Sequence, residues 1–384
     1  MRLKRKNLFL ILLAFVVLLS LFLLKVREHM IDFEVNYKAG KRLRGSEPLY
    51  QTEDGHYMFK YPPSSALLYL PLSFLSLNAA KAIWYFIVAF CLCSLVYVSA
   101  KILPSEEKRS VYLFIFPPLI LAKFFLRELQ LGQINAVATL ILLFMIWFLI
   151  KEKNKTSSPQ DVYAGLLWGL ATSLKPYALI FLPYFLLKKK WKSVLSGLVF
   201  LIVALLIPAV FYGFRGNIIM LKEWIVTLSR STPVLLASQD NISITAFFIK
   251  WTGNQHISFF LSGLVIAILA FICLTVILIG RKIDRASVLE CSILLILIPL
   301  VSPLGWDYTL LMSVLGVALI IHNFSGYSKF WRGVLVLNFF IITFSLYDVM
   351  GRDLYVRFMS WSVITVNFMI LIGYLLYLRL RKIC

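Results

Sequence analysis

Asp32 opens a stretch whose residue types suit proton transfer and anion binding: Asp32-Phe-Glu-Val-Asn-Tyr37, followed by Gly45 and Pro48-Leu-Tyr50. Ile31, Val35, Ala39 and Leu43 recur at four-residue steps, the apolar stripe of a helix lying on a membrane surface. Asp32 and Asn36 share a neighbouring face of that helix, with Tyr37 beside them. Asp32 has two readings. It can cap the helix N-terminus, a position that favours aspartate, or it can present a carboxylate to a substrate proton. Lys60, in Phe59-Lys60-Tyr61-Pro62-Pro63-Ser64, precedes an apolar stretch that ends at Leu77. It is placed either to meet a phosphate at the membrane surface or to snorkel towards headgroups. The stretch after it is too short to span comfortably, so it reads as an interfacial or re-entrant helix with Pro63 in its first turn.

Further polar corners interrupt the apolar chain. Arg127, Glu128, Gln133 and Asn135 fall within nine residues, either as a polar pocket or as caps of two helix ends. Ser238-Gln-Asp-Asn-Ile-Ser243 and Ser302-Pro-Leu-Gly-Trp-Asp-Tyr308 are two more. In the second, Trp306 and Tyr308 suit an interfacial belt, and Asp307 beside them is harder to explain that way. The four histidines are scattered, and the five cysteines have neither disulfide nor zinc spacing. Glycine-rich phosphate loops, Walker motifs and Asp-x-Asp are absent from the sequence. The expectation is therefore a site without cofactor, metal or nucleotide.

The elements that must position these residues are membrane helices. The 384 residues are 60% hydrophobic and 15% charged, with a mean hydropathy of +0.85, which excludes an ordinary soluble domain. A formal charge of +21 can signal nucleic acid, but here the cations sit in short clusters between apolar runs, as cytoplasmic anchors do. The chain reads as one polytopic membrane domain over 1–384, all-α, with about 12 transmembrane helices. The runs lie at 8–24, 79–100, 111–126, 132–150, 162–174, 176–187, 193–212, 256–279, 286–301, 306–322, 333–347 and 358–378.

Charge decides the ambiguous stretch 162–187. Lys151, Lys153 and Lys155 precede it and Lys188-Lys-Lys-Trp-Lys192 follows. One span would put one of these clusters outside, whereas a hairpin with Lys175-Pro176 at its tip keeps both inside. Each arm is roughly 19 Å long against a hydrocarbon core of about 30 Å, so Lys175 lies below the outer surface and must face protein or a wet cavity. On this reading both termini are cytoplasmic, and 22 of the 39 Lys and Arg are on the inside. The long connections, 25–78 with its interfacial helices and 213–255, are external, and specific work is expected on that face.

In their order and spacing these residues resemble the polytopic glycosyltransferases of the GT-C fold, most closely glycosyltransferase family 87, the polyprenol-phosphate-mannose-dependent type. The markers are Asp32-Phe-Glu-Val-Asn-Tyr37 with Ala39, Gly45 and Pro48-Leu-Tyr50, then Tyr61-Pro-Pro63 with Pro71, and Leu131-Gly-Gln-Ile-Asn135. Gly165, Gly169-Leu-Ala, Leu174-Lys-Pro176 and Ser302-Pro with Trp306 complete them. The resemblance implies a catalytic Asp32 and a pocket on the extracytoplasmic face of a cell membrane. It further implies an inverting transfer of a hexose, mannose in the family type, from a polyprenyl-phosphate sugar donor to a glycan or glycolipid acceptor. Tyr37, Lys60, Arg127, Glu128, Gln133, Asn135, Lys175, Trp306 and Asp307 are the expected substrate-binding residues. Many relatives place a histidine after the tryptophan, where this chain has Asp307. Another lipid-linked sugar on the same scaffold, a transporter or flippase of lipid-linked glycans, and a non-catalytic subunit remain as competing readings. Membrane lipid is an expected partner and nucleic acid is not.

Overall fold

The computed structural model describes residues 16–103, 111–151, 159–279 and 286–381. Most of the basic clusters at 2–6, 101–109, 151–155 and 281–285 lie outside them. Helix follows helix throughout, and the described residues form no named strand. In chain order they are α1 (Val16–Val26), α2 (Ile31–Arg44), α3 (Pro63–Tyr69), α4 (Leu77–Ile102), α5 (Tyr112–Ile120), α6 (Ala122–Leu131) and α7 (Asn135–Lys151). Next come α8 (Pro159–Leu174), α9 (Phe181–Leu187), α10 (Trp191–Leu206), α11 (Ala209–Leu235), α12 (Ile244–Thr252) and α13 (Gln255–Ile279). The last are α14 (Ala286–Val301), α15 (Val314–His322), α16 (Lys329–Phe344), α17 (Tyr347–Met350), α18 (Arg352–Ser360) and α19 (Val363–Leu380).

Among them α4, α13 and α19 are long and apolar enough to cross a membrane, and α10 with α11 would make a fourth if that bent pair is one span. Several shorter apolar helices accompany them. This is an all-helical, multi-pass membrane protein. Burial sorts the helices. The side chains of α14 are buried almost all round, as expected for a helix without a polar face at the centre of a bundle. On α13, Phe260 and Phe271 point outwards, which places that helix at the lipid-facing rim.

The hairpin expected at 162–187 is present. Pro176 disfavours helical backbone at the preceding residue, and Lys175 is extended (φ −142°, ψ 116°), so α8 ends at Leu174. The chain returns through a 3₁₀ turn, Pro176–Ile180, and α9. Trp168 donates its indole N–H to Ala178 O at 2.8 Å. At the open end Lys190 pairs with Asp161 at 3.2 Å. Behind the hairpin α10 packs so closely on α8 that a Cβ on Gly165 would lie 2.2 Å from Ser193 O, and one on Gly197 would lie 2.3 Å from the Trp168 ring.

Three expectations change. The stripe Ile31, Val35, Ala39, Leu43 does not lie on lipid. Ala39 and Leu43 are fully buried in a second small core with Leu49, Tyr50, Phe59, Ala66 and Met220. The reason is α11, which supplies the cover. The stretch from 213 is not an open loop: α11 carries it to Leu235, at 95° to α10. The turn falls at Pro208, which has no N–H to give the helix ladder, and at Gly213, whose φ of 67° suits a residue without a Cβ. Lastly, the run 111–126 breaks at Leu121, so α6 turns Lys123 and Glu128 into the protein.

Where α6 stops, Gly132 holds a left-handed φ of 67°, and a Cβ there would sit 2.7 Å from Phe33 Cβ. Its carbonyl accepts from Trp84 Nε1 at 2.8 Å. Gly132→Ala should therefore cost about 1–3 kcal/mol. Gly263→Ala, in α13 with open space around it, should be neutral or slightly stabilising. Thermal unfolding of the detergent-solubilised variants, read side by side, checks both.

Candidate active site

Gln133, the residue after that glycine turn, joins the polar groups. Its Nε2 donates to Asp32 Oδ2 at 2.6 Å and to the Tyr308 hydroxyl at 3.1 Å. Its Oε1 accepts from the Tyr61 hydroxyl at 3.3 Å and from Lys175 Nζ at 3.4 Å. One neutral amide thus ties a carboxylate near the start of α2 to a lysine at the hairpin tip. Lys175, 6% exposed, also donates to Asn135 Oδ1 at 2.7 Å and lies 4.9 Å from the Tyr61 ring centroid.

Asp32 is not the helix cap. Met30 holds that position, and Asp32 is the second residue of α2, with its carboxylate turned to Gln133. Asn36 is buried one turn on and donates to the Asp32 carbonyl at 2.9 Å. Ser64 and Ser65, at the start of α3, donate to Ser173 O at 2.9 Å and Leu174 O at 2.7 Å. These bonds fix the Tyr61-Pro-Pro63 segment on the hairpin tip. Trp224 of α11 donates to Lys60 O at 3.1 Å and closes the arrangement from outside.

The other two polar corners are zipped together. Ile242 N donates to Gly305 O at 2.7 Å and Asp307 N to Asp240 O at 3.1 Å. Arg127 bonds both acids, Asp307 at 2.9 Å and Asp240 at 3.0 Å, and Lys123 reaches Asp307 at 3.1 Å. Trp306 stacks on Tyr308 above this network.

Two cavities meet here. A polar chamber of about 300 Å³ is lined by Asp32, His56, Lys60, Arg127, Gln133 and Tyr308 among others. An apolar chamber of about 620 Å³ runs between α11, α14 and the hairpin tip, with Leu179, Ile180, Leu228 and Ile298 in its wall. Lys60, Tyr61 and Trp306 line both, and Lys175 lines the second. The arrangement can hold an anion on two lysines at the junction, an apolar chain on one side, and a proton acceptor on the other.

The structure brings Asp32, Lys60, Arg127, Gln133, Lys175 and Trp306 to these chambers. Asn135 stands behind as the residue that holds Lys175. Three expected binding residues lie elsewhere. Glu128 is fully buried and accepts from Asn135 Nδ2 at 2.9 Å and Ala136 N at 2.7 Å, which fixes the start of α7. Asp307, 0% exposed, is enclosed by Lys123 and Arg127. Tyr37 faces the far side of α2 and donates to Leu75 O at 2.7 Å. Arg127 reaches the polar chamber, but its charge is engaged by two carboxylates. Tyr61, Tyr308, Asp240 and Lys123 were not expected in the site. Of these, Lys123 carried a readable signal, because a lysine inside an apolar run needs a partner.

Burial holds the Asp32 carboxyl above the usual range, against the opposing pull of the Gln133 hydrogen bond and then of Lys175, Arg127 and Lys60. Burial likewise lowers the Lys60 ammonium, with Asp32 opposing. A raised carboxyl is a stronger base but must lose its proton first. Any activity that uses Asp32 as base is therefore expected to fall off on the acid side at a pH above the ordinary aspartate value of about 3.9. Gln133→Ala removes the bond that lowers this value and should move the acid limb to still higher pH. The pH profile of kcat/KM for both proteins checks the direction.

Comparison with known proteins places the chain in a family. The chain is 25% identical over 237 residues to the polyprenol-phosphate-mannose-dependent alpha-(1-2)-phosphatidylinositol pentamannoside mannosyltransferase of Mycolicibacterium smegmatis, covering 59% of this chain and 52% of that one. It is 24% identical over 290 residues to the polyprenol-phosphate-mannose-dependent alpha-(1-2)-phosphatidylinositol mannoside mannosyltransferase of Mycobacterium tuberculosis, covering 70% and 63%. It is also 27% identical over 177 residues to an alpha-(1->3)-arabinofuranosyltransferase of Corynebacterium glutamicum, covering 44% and 39%. The chain thus spans less than two thirds of each of these relatives. No solved structure matches it. The model of glycosyltransferase family 87 matches residues 59–303, most of the chain, and the protein belongs to that family.

Proposed function

We propose that this membrane glycosyltransferase moves a sugar, mannose in the first instance, from a polyprenyl monophosphate to a hydroxyl of a glycan or glycolipid, inverting the anomeric centre. The observation that carries the reading is the junction of the two chambers. Lys60 and Lys175 stand where an apolar channel meets the chamber that holds Asp32. A polyprenyl-phosphate sugar has that sequence of properties: an apolar chain, an anionic phosphate, a polar ring.

In this mechanism the acceptor oxygen attacks the anomeric carbon from the side opposite the phosphate. The acceptor proton passes to the Asp32 carboxylate. The bond from the anomeric carbon to the phosphate oxygen breaks, and its electron pair leaves on the polyprenyl phosphate. Lys60 and Lys175 meet that growing charge with positions already set by Trp224, Tyr61 and Asn135. A phosphate leaving group needs no protonation, so a single base suffices. Holding donor and acceptor in line supplies a further part of the rate. Arg127 acts at one remove, by holding the 238–243 and 302–308 corners together.

The topology that fits has about 12 transmembrane helices of the GT-C type in one domain. Both termini are cytoplasmic and the chambers open to the extracytoplasmic face of a cell membrane. A pentose donor is the second reading, favoured by the similarity to an arabinofuranosyltransferase.

Purified protein supplied with polyprenyl-phosphate mannose, polyprenyl-phosphate arabinose and a panel of glycan and glycolipid acceptors tests both readings. The expected result is transfer from the mannose donor, lowered on the order of 10²–10⁴-fold in a folded Asp32→Asn variant. Full transfer by that variant would overturn the role of Asp32. Transfer from the arabinose donor alone would replace mannose by pentose.

A further inference from the structure

The helix that carries Asp32 presents a second, different surface. At 100° per residue, Glu34, Tyr37, Lys38, Lys41 and Arg44 share the side of α2 turned away from Asp32. They line a separate groove of about 620 Å³ whose other wall is 73–77. The groove is cationic. Glu34 is taken by Lys81 at 2.6 Å. Among the described residues, Lys38, Lys41 and Arg44 form no ion pair. Arg44 is braced by Ser73 O at 2.7 Å and by the Phe74 ring, 4.7 Å from its guanidinium carbon.

The groove's floor gives its depth relative to the bilayer. Leu77, at its edge, begins α4, one of the long apolar helices. Phe74, 68% exposed, and Leu75 stand outwards just before it, as residues at the headgroup boundary do. Unpaired cations over exposed apolar side chains, at the mouth of a span, match the phosphate and upper acyl region of a lipid.

We propose that this groove binds an anionic phospholipid of the surrounding bilayer, with Lys38 and Lys41 on its phosphate and Phe74 against its chain. The groove faces away from Asp32, so the lipid it holds is not the acceptor. Its occupant braces α2 from the side opposite the chambers. The proposal stands whether or not the donor is mannose-linked, and its test needs no turnover.

The experiment compares thermal unfolding of the full-length protein in a neutral detergent with added phosphatidylglycerol, phosphatidylcholine or soluble glycerol phosphate. Phosphatidylglycerol should raise the melting temperature in a saturable way, and the other two should not. K38Q/K41Q, two exposed side chains outside either core, should weaken that response by roughly 30-fold in half-saturating lipid. K38R/K41R should keep it, which separates charge from a general loss of folding. An unchanged response in K38Q/K41Q would overturn the proposal. Equal stabilisation by phosphatidylcholine would remove the charge requirement, and equal stabilisation by glycerol phosphate would make the ligand a soluble anion.

Discussion

The Gln133 side chain is the constraint on which the site depends. Asp32 and Lys175 come from segments 143 residues apart, and both are held in a poorly solvated interior. Direct contact would join them in an ion pair and leave neither for a substrate. An unpaired charge at that depth would be costly. A neutral amide that donates to one and accepts from the other satisfies part of each group's hydrogen bonding without neutralising it. It also needs the backbone to reverse immediately before it. That is what the left-handed Gly132 supplies, under the ring of Trp84 and against Phe33.

Around this amide the protein separates charges that work from charges that hold. Lys123, Arg127, Asp240 and Asp307 pair with one another and lock two distant corners into one wall. Glu128 accepts from the Asn135 side chain and from the amide of Ala136, the second residue of α7. Lys60 and Lys175 instead make contacts to neutral groups, His56 O and Asn135 Oδ1. That leaves their charge for the donor phosphate of the proposed reaction. The same division runs through α2, whose Asp32 side lines the chamber and whose Lys38, Lys41 and Arg44, on the other side, form no ion pair among the described residues.

Much of this was readable from the chain. The helical membrane class follows from composition, and the hairpin follows from lysine clusters at both its ends, with Pro176 marking the tip. Asp32, Lys60, Gln133 and Lys175 were legible because polar residues in apolar surroundings must answer to something. What was not legible depends on tertiary cover. The stripe on α2 has the spacing of a surface-lying helix. Whether lipid or protein covers it is decided by α11, some 170 residues later. A local pattern says that a face is apolar and not what buries it. Asp307 likewise has the residue type of a binding group, and only the folded positions of Lys123 and Arg127 make it structural. Tyr308 looked like a belt residue beside Trp306, yet its hydroxyl meets Gln133.

The measurement that bears most directly on this account is a cryo-electron microscopy structure with a non-transferable polyprenyl-phosphate sugar bound. The phosphate is expected between Lys60 and Lys175, the chain in the chamber walled by Leu179, Ile180, Leu228 and Ile298, and the sugar beside the Asp32 carboxylate. A phosphate bound away from both lysines, or a sugar with Asp32 out of reach, would contradict it.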